Sequence, residues 1–167
     1  KATFYPRKSA ALILLLLIAG PLSMLAAEAV IPAADNLAKT GQAARQLGVP
    51  TVVFVSRAAC PYCRTLRDQI LLPMQHANKF VDRMILVEIS LERVEPLTGF
   101  DNKQIAAQEF ADHYQAGITP TLLFLDPEGR EIGRRLVGIS NLELYGHYLQ
   151  KSIDEALLAI RSRLPEG

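Results

Sequence analysis

The 167-residue chain holds two cysteines, and both lie in Cys60-Pro61-Tyr62-Cys63. Thiols at this spacing close into a small disulfide ring that an incoming thiolate can reopen, so the pair points to thiol–disulfide exchange. The alternative is a static bridge, but so short a ring restrains little of the unfolded chain and makes a poor staple. A zinc site would have to draw its other ligands from His76, His113 and His147. These stand singly, at no ligand spacing, and are most simply surface residues.

The neighbouring sequence positions the pair. Thr51-Val52-Val53-Phe54-Val55, between Gly48 and Pro50 on one side and the cysteines on the other, reads as a buried strand. After the motif, Cys63, Leu66, Ile70 and Met74 recur at helical spacing, with Arg64, Arg67, Asp68 and Gln69 assigned to the other face. Cys60 therefore falls where a strand's exit loop enters a helix, and the free N–H groups there favour a thiolate. Pro61 suits the first helical turn, where a missing N–H costs nothing. The helix terminus is worth roughly 0.3 to 1 kcal/mol, up to about 2 when partly buried, which is about one pKa unit. Arg57 and Arg64 are candidates to add to it, unless both point into water.

Residues 1–29 differ in kind from the rest. Lys1, Arg7 and Lys8 precede an apolar run from Ala10 to Ala19, followed by Gly20-Pro21 and a small-residue segment ending Ala27-Glu28-Ala29. This is the layout of a secretory signal with an A-x-A cleavage site. The alternative is an uncleaved anchor, although Gly20, Pro21 and Ser23 interrupt the run and it falls short of the roughly 20 residues of a bilayer span. Cleavage would leave one domain, 30–167, and export would place it in the periplasm, or facing the periplasm on the inner membrane if the anchor persists. Of 18 basic and 17 acidic residues the leader takes three and one, so the remainder carries a net charge of about −1. Such a balance argues against a nucleic-acid partner.

Beyond the leader the pattern predicts a helix over 33–47 capped by Asp35, the first strand, and the cysteine helix ended or kinked by Pro73. A short helical piece over 74–80 and a strand over 84–89 follow. Residues 90–103 read as a solvated surface insertion, and 104–115 as a helix. Gly117-Ile118-Thr119-Pro120 leads into the apolar run Thr121–Leu125, and Asp126-Pro127-Glu128-Gly129 turns it into a hairpin with 130–137. After Gly138 a closing helix over 141–164 has Leu144, Tyr148, Ile153, Leu157 and Ile160 among its apolar positions.

A Cys-x-x-Cys at a strand-to-helix junction, with a Thr-Pro ahead of a hairpin and Gly138 after it, resembles the thioredoxin superfamily over about residues 30–164. Within it the chain is most similar to exported bacterial thioredoxin-like proteins with a Cys-Pro-Tyr-Cys site. The resemblance implies an α/β thioredoxin fold, a central mixed sheet flanked by helices, with an extra N-terminal helix and an insertion before the strand that follows a cis proline. It implies Cys60 as attacking thiolate, Cys63 as resolving thiol and Pro120 as the cis proline. Pro61, Tyr62, Thr119, Pro120 and Gly138 would border the substrate, with the Thr119 backbone pairing with an extended segment. No cofactor beyond the Cys60–Cys63 disulfide is implied. Thioredoxin itself has a Trp before its first cysteine and a buried Asp in the preceding strand, where this chain has Ala59 and Phe54. Proton transfer to and from Cys63 would need water or another group, for which Glu88 is a candidate.

Cys-Pro-Tyr-Cys is also the glutaredoxin motif, but the paired glycines and acidic segment that hold glutathione are not evident around Gly138. The expected activity is thiol–disulfide exchange with protein or small thiol substrates, reset by a membrane or periplasmic thiol redox partner. Thr119 before the proline is similar to the arrangement in the disulfide isomerases and reductants of the periplasm, a resemblance that implies reduction as its direction. The rivals are a disulfide-donating oxidase and a partner-binding module that uses the 90–103 insertion.

Overall fold

The computed structural model describes residues 30–163; the predicted leader, 1–29, lies outside the described residues, as do 164–167. In chain order the elements are α1 (Leu37–Leu47), β1 (Thr51–Ser56) and α2 (Pro61–Leu66), which continues through a π-helical turn (Arg67–Leu71) into α3 (Leu72–His76). Then come β2 (Ile85–Ser90), β3 (Leu97–Thr98), β4 (Gln104–Ile105), α4 (Ala107–His113), β5 (Thr121–Leu125), β6 (Leu136–Val137) and α5 (Leu142–Arg161). The main sheet has the order β2-β1-β5-β6. β1 runs parallel to β2 and antiparallel to β5, and β6 is antiparallel to β5.

Strand residues alternate between faces, and here both faces are covered. Val52, Phe54, Leu122 and Phe124 pack with Cys63, Leu66 and Leu71 of the cysteine helix and with Tyr145, Leu149 and Ile153 of α5. On the other face Val53, Val55, Leu123 and Leu125 meet Leu37 in α1's first turn and Phe110 and Ala111 of α4. Continuous apolar runs without polar alternation follow from this three-layer arrangement.

Several boundaries depart from the sequence reading, each for a local reason. The first helix starts at Leu37, and its cap is Asn36, not Asp35: the Asn36 side chain accepts from the Lys39 N–H at 2.8 Å. Residues 32–34 instead lie extended along β2, with the Ala34 N–H donating to the Glu88 carbonyl and the Glu88 N–H to Pro32, both at 2.8 Å. Gly41 inside α1 is explained by close packing, since a Cβ there would sit 2.3 Å from the Pro127 carbonyl oxygen.

Pro73 neither ends nor replaces the cysteine helix. Its ring would clash with the carbonyl four residues back, and the helix widens just before it: the Leu72 N–H bonds the Arg67 carbonyl, five residues back. The extra residue shifts the apolar phase, so Leu71 is buried and Ile70 only partly. No helix spans 74–80; α3 stops at His76 and turns follow. In α5 the buried face is Tyr145, Leu149, Ile153, Ala156, Leu157 and Ile160, capped by Asn141, whereas Leu144 and Tyr148 are exposed.

The 90–103 segment is not a bare solvated loop. Leu97 and Thr98 pair antiparallel with Ile105 and Gln104, so the helix expected from 104 begins at Ala107. Leu97 is fully buried against the α1–α4 face. The following hairpin is pinned at its turn by Asp126, itself buried. Its Oδ1 accepts from the Glu128 and Arg130 N–H groups at 3.0 and 2.8 Å, and its Oδ2 from the Arg130 and Arg163 side chains, both at 2.7 Å. Four donors offset the cost of burying the carboxylate.

Two stability predictions follow from this packing. Leu97→Ala should lower unfolding free energy by about 2–5 kcal/mol, the cost of emptying a filled core site, while alanine at the exposed Val94 changes the urea midpoint little. Tyr114 donates to the Gly129 carbonyl at 2.6 Å, and burial, with Asp126 and Glu131 nearby, pushes its phenol up to about 12. The folded state thus keeps this proton longer than the unfolded chain, whose tyrosines titrate near about 10. Its stabilisation is complete below about pH 10 and is lost as pH rises towards about 12. Urea midpoints across that window should fall less steeply for Tyr114→Phe than for the parent.

Candidate active site

Cys60 and Cys63 are joined in a disulfide, their Cα atoms 5.2 Å apart. The loop leaving β1 delivers Cys60 to the N-cap of α2 in an extended conformation, and its Sγ accepts from the Cys63 N–H at 3.0 Å. That donor would otherwise lack a partner at the helix start. Pro61 occupies the first helical turn, where its fixed φ is already helical. One turn on, Cys63 points inward and is fully buried, while Cys60 retains 9% exposure at the surface. Tyr62 stands out between them, 64% exposed.

The second part of the site is the segment leading into β5. Antiparallel pairing sets Val55 opposite Thr121, so the end of β1 and the start of β5 lie side by side. The Thr119–Pro120 bond is cis, and the Thr119 carbonyl oxygen sits 3.7 Å from Cys60 Sγ. The Thr121 hydroxyl donates to the Ile118 carbonyl at 2.7 Å and leaves Ile118 exposed. Gly138, next to β6, donates its N–H to the Pro120 carbonyl at 2.8 Å. A Cβ on Gly138 would meet no atom within 4 Å; its φ of 65° is what calls for glycine. Cys60, Thr119, Pro120 and Gly138 therefore form one connected strip, flanked by Pro61 and Tyr62.

Below Cys60 a cleft of about 270 Å³ is lined by Ser56, Arg57, Arg64, Arg67, Glu88 and Ser90. Glu88, opposite Phe54 in the β1–β2 register, accepts from the Ser56 hydroxyl and from the Arg67 guanidinium. Arg67 also lies over the Phe54 ring, 5.3 Å from its centroid. Its assignment to the outer helical face is thereby corrected: it turns back under the sheet. Ser56 and Arg67 are site residues that sequence reasoning passed over. The available signal was that Arg67 stands four residues after Cys63, one turn along the same helical face. Arg57 faces Glu92 at 4.0 Å, and Arg64 has no ion-pair partner among the described residues. His76, His113 and His147 are exposed, and no group of three potential metal ligands converges among the described residues.

A buried thiol beneath a partly exposed one, joined reversibly and bordered by open backbone, can pass a disulfide between itself and another molecule. Comparison with known proteins agrees. A family model described as a thioredoxin-like domain matches residues 37–153. Among solved structures the chain is similar to DsbH oxidoreductase at 20% identity and TM-score 0.53, over 76% of this chain and 88% of that one. Thioredoxin O2 from Arabidopsis thaliana in its oxidized state matches at 18% identity and TM-score 0.49, over 73% and 94%. The oxidised C-terminal domain of Neisseria meningitidis DsbD matches at 15% identity and TM-score 0.48, over 69% and 90%. At 20% identity the likeness to DsbH oxidoreductase is one of fold. No curated protein sequence matches the chain at a significant level.

The burial difference predicts unequal thiol reactivity. After reduction, brief iodoacetamide treatment at neutral pH should label Cys60 at least about tenfold faster than Cys63, because the thiolate with access is the nucleophile. Peptide mapping by mass spectrometry reads the ratio, and equal labelling would contradict the assignment of roles.

Proposed function

We propose that this chain, which belongs to the thioredoxin-like domain family, is an exported thiol–disulfide oxidoreductase working as a reductant. Oxidoreductase activity of this kind follows from the family fold and the Cys60–Cys63 pair; the direction and the compartment are our reading. The observation that carries the reading is the placement of Cys60 Sγ between the Cys63 N–H at 3.0 Å and the open Thr119 carbonyl at 3.7 Å.

In the reduced protein the Cys60 thiolate attacks one sulfur of a substrate disulfide. The substrate S–S bond breaks, its other sulfur leaves as a thiolate and takes up a proton, and a Cys60–substrate mixed disulfide forms. Hydrogen bonding from the Cys63 N–H favours the Cys60 thiolate before attack. Cys63, deprotonated, then attacks Cys60 Sγ and releases the second substrate sulfur as a thiol. Two electrons have moved from the Cys60/Cys63 dithiol to the substrate, and the protein is left in the disulfide state seen here. A thiol redox partner restores the dithiol by the reverse exchange. Thioredoxin-like proteins need no cofactor for these steps.

Each residue has a place in the sequence of steps. Thr119 and Gly138 offer backbone to an extended substrate, while Pro61, Pro120 and Tyr62 shape the rim. Glu88 lines the cleft that reaches Cys60, held by Ser56 and Arg67, and is the group we assign to proton exchange, through water, with the thiols. Direction is supported by partial charge matching: Glu92 faces Arg57 and Glu88 binds Arg67, which leaves Arg64 as the one cation of the cleft without an ion-pair partner among the described residues. Strong oxidants owe their potential to a strongly stabilised reduced form. Export rests on the signal-like leader, residues 1–29.

The reduced protein should precipitate insulin by reducing its disulfides. Cys60→Ser abolishes this, and Cys63→Ser accumulates the mixed disulfide on non-reducing gels. Equilibration against glutathione should place the couple at about −200 to −230 mV, whereas about −120 mV would reverse the direction.

A further inference from the structure

β6 is one of the two outer strands of the sheet; the other, β2, is covered along its edge by residues 32–34. In an antiparallel ladder, pairs that exchange hydrogen bonds alternate with pairs that do not. The Gly138 N–H bonds the Pro120 carbonyl, so the next pair, Thr121 with Val137, is a non-bonded one. The Val137 N–H and C=O are thereby turned outward, at a residue that is 48% exposed. An edge with one free donor and one free acceptor is a template for another extended chain.

Beside this edge runs a groove of about 430 Å³ between β6 and α5. Arg134 and Lys151 line it without ion-pair partners among the described residues, against one carboxylate, Glu155; Arg135 is committed to Glu131. Tyr145 also lines the groove. Its ring and its hydroxyl are both buried, and the hydroxyl has no hydrogen-bond partner among the described residues. The groove joins the cysteine site through Gly138, Pro120 and Thr119.

We propose that the β6 edge and this groove are a docking strip for an extended, acidic segment of a polypeptide substrate, added as a further strand beside Val137. The strip would select disulfide-bearing polypeptides over small disulfides, because only a peptide backbone can pair with the edge, and would favour acidic flanks through Arg134 and Lys151. The inference rests on the exchange activity proposed above and names the class of its substrate.

The test uses the full chain, reduced and freed of reductant, in single turnover. Rates are measured with hydroxyethyl disulfide and with two short disulfide-bonded peptides, one flanked by Asp and Glu, the other by Lys. Val137→Pro deletes the outward N–H while leaving the pairing with β5 intact, as edge strands allow. It should lower the ratio of the acidic-peptide rate to the hydroxyethyl disulfide rate by about fivefold, the worth of one hydrogen bond. Lys151→Glu, at an exposed helix position, should lower that ratio about two- to fivefold and raise the ratio for the Lys-flanked peptide; it also serves if the proline variant does not fold. Unchanged ratios in Lys151→Glu and in a folded Val137→Pro overturn the docking strip alone. A parent that exchanges with no disulfide overturns the activity as well. A dimer at assay concentration that Val137→Pro dissolves overturns it in favour of pairing between two copies of the chain.

Discussion

The antiparallel register between β1 and β5 is the constraint on which the site depends. With Val55 opposite Thr121, the loop that carries Cys60 away from β1 and the segment that brings Thr119 into β5 must emerge at the same edge of the sheet. The contact of Cys60 Sγ with the Thr119 carbonyl is a consequence. A slip of β5 by one residue would turn its side chains to the opposite face of the sheet, sending Phe124 into the space now filled by Leu37 and Phe110. Two different cores thus lock the register, and through it the position of the reactive sulfur.

At the strand position where thioredoxin itself has a buried Asp, this chain has a different arrangement. Phe54 fills the strand position with an apolar ring, and the polar groups move to the neighbouring strand and the cysteine helix: Glu88, Ser56 and Arg67. Arg67 links both, its guanidinium between the Phe54 ring and the Glu88 carboxylate. The π-helical turn that begins at Arg67 also accommodates Pro73. One irregularity therefore serves both backbone and site.

Much of this was readable in advance. The strand before the cysteines, the break at the motif, the Thr-Pro before β5 and the Asp-Pro-Glu-Gly turn are marked by residues whose local preferences and tertiary roles agree. The misreadings have a common cause in contacts between distant segments. Asp35 and Asn36 are both good caps, and the choice fell to the pairing of 32–34 with β2. Residues 90–103 looked polar, yet Leu97 finds a site on the α1–α4 face. In the cysteine helix the 3.6-residue phase failed after Leu66, because a proline further along forced a wider turn.

By itself the sequence determined the chemistry and the kind of scaffold. Two cysteines with two residues between them, at a strand-to-helix junction, fix what reacts, since reactivity is set by covalent spacing and backbone local to the motif. Which sulfur is reachable, what stands beside it and where a substrate's chain can lie were decided only by the tertiary structure. Thr119, Glu88 and Gly138 are far from Cys60 in the chain, and only sheet pairing and two-sided burial bring them within reach of one another.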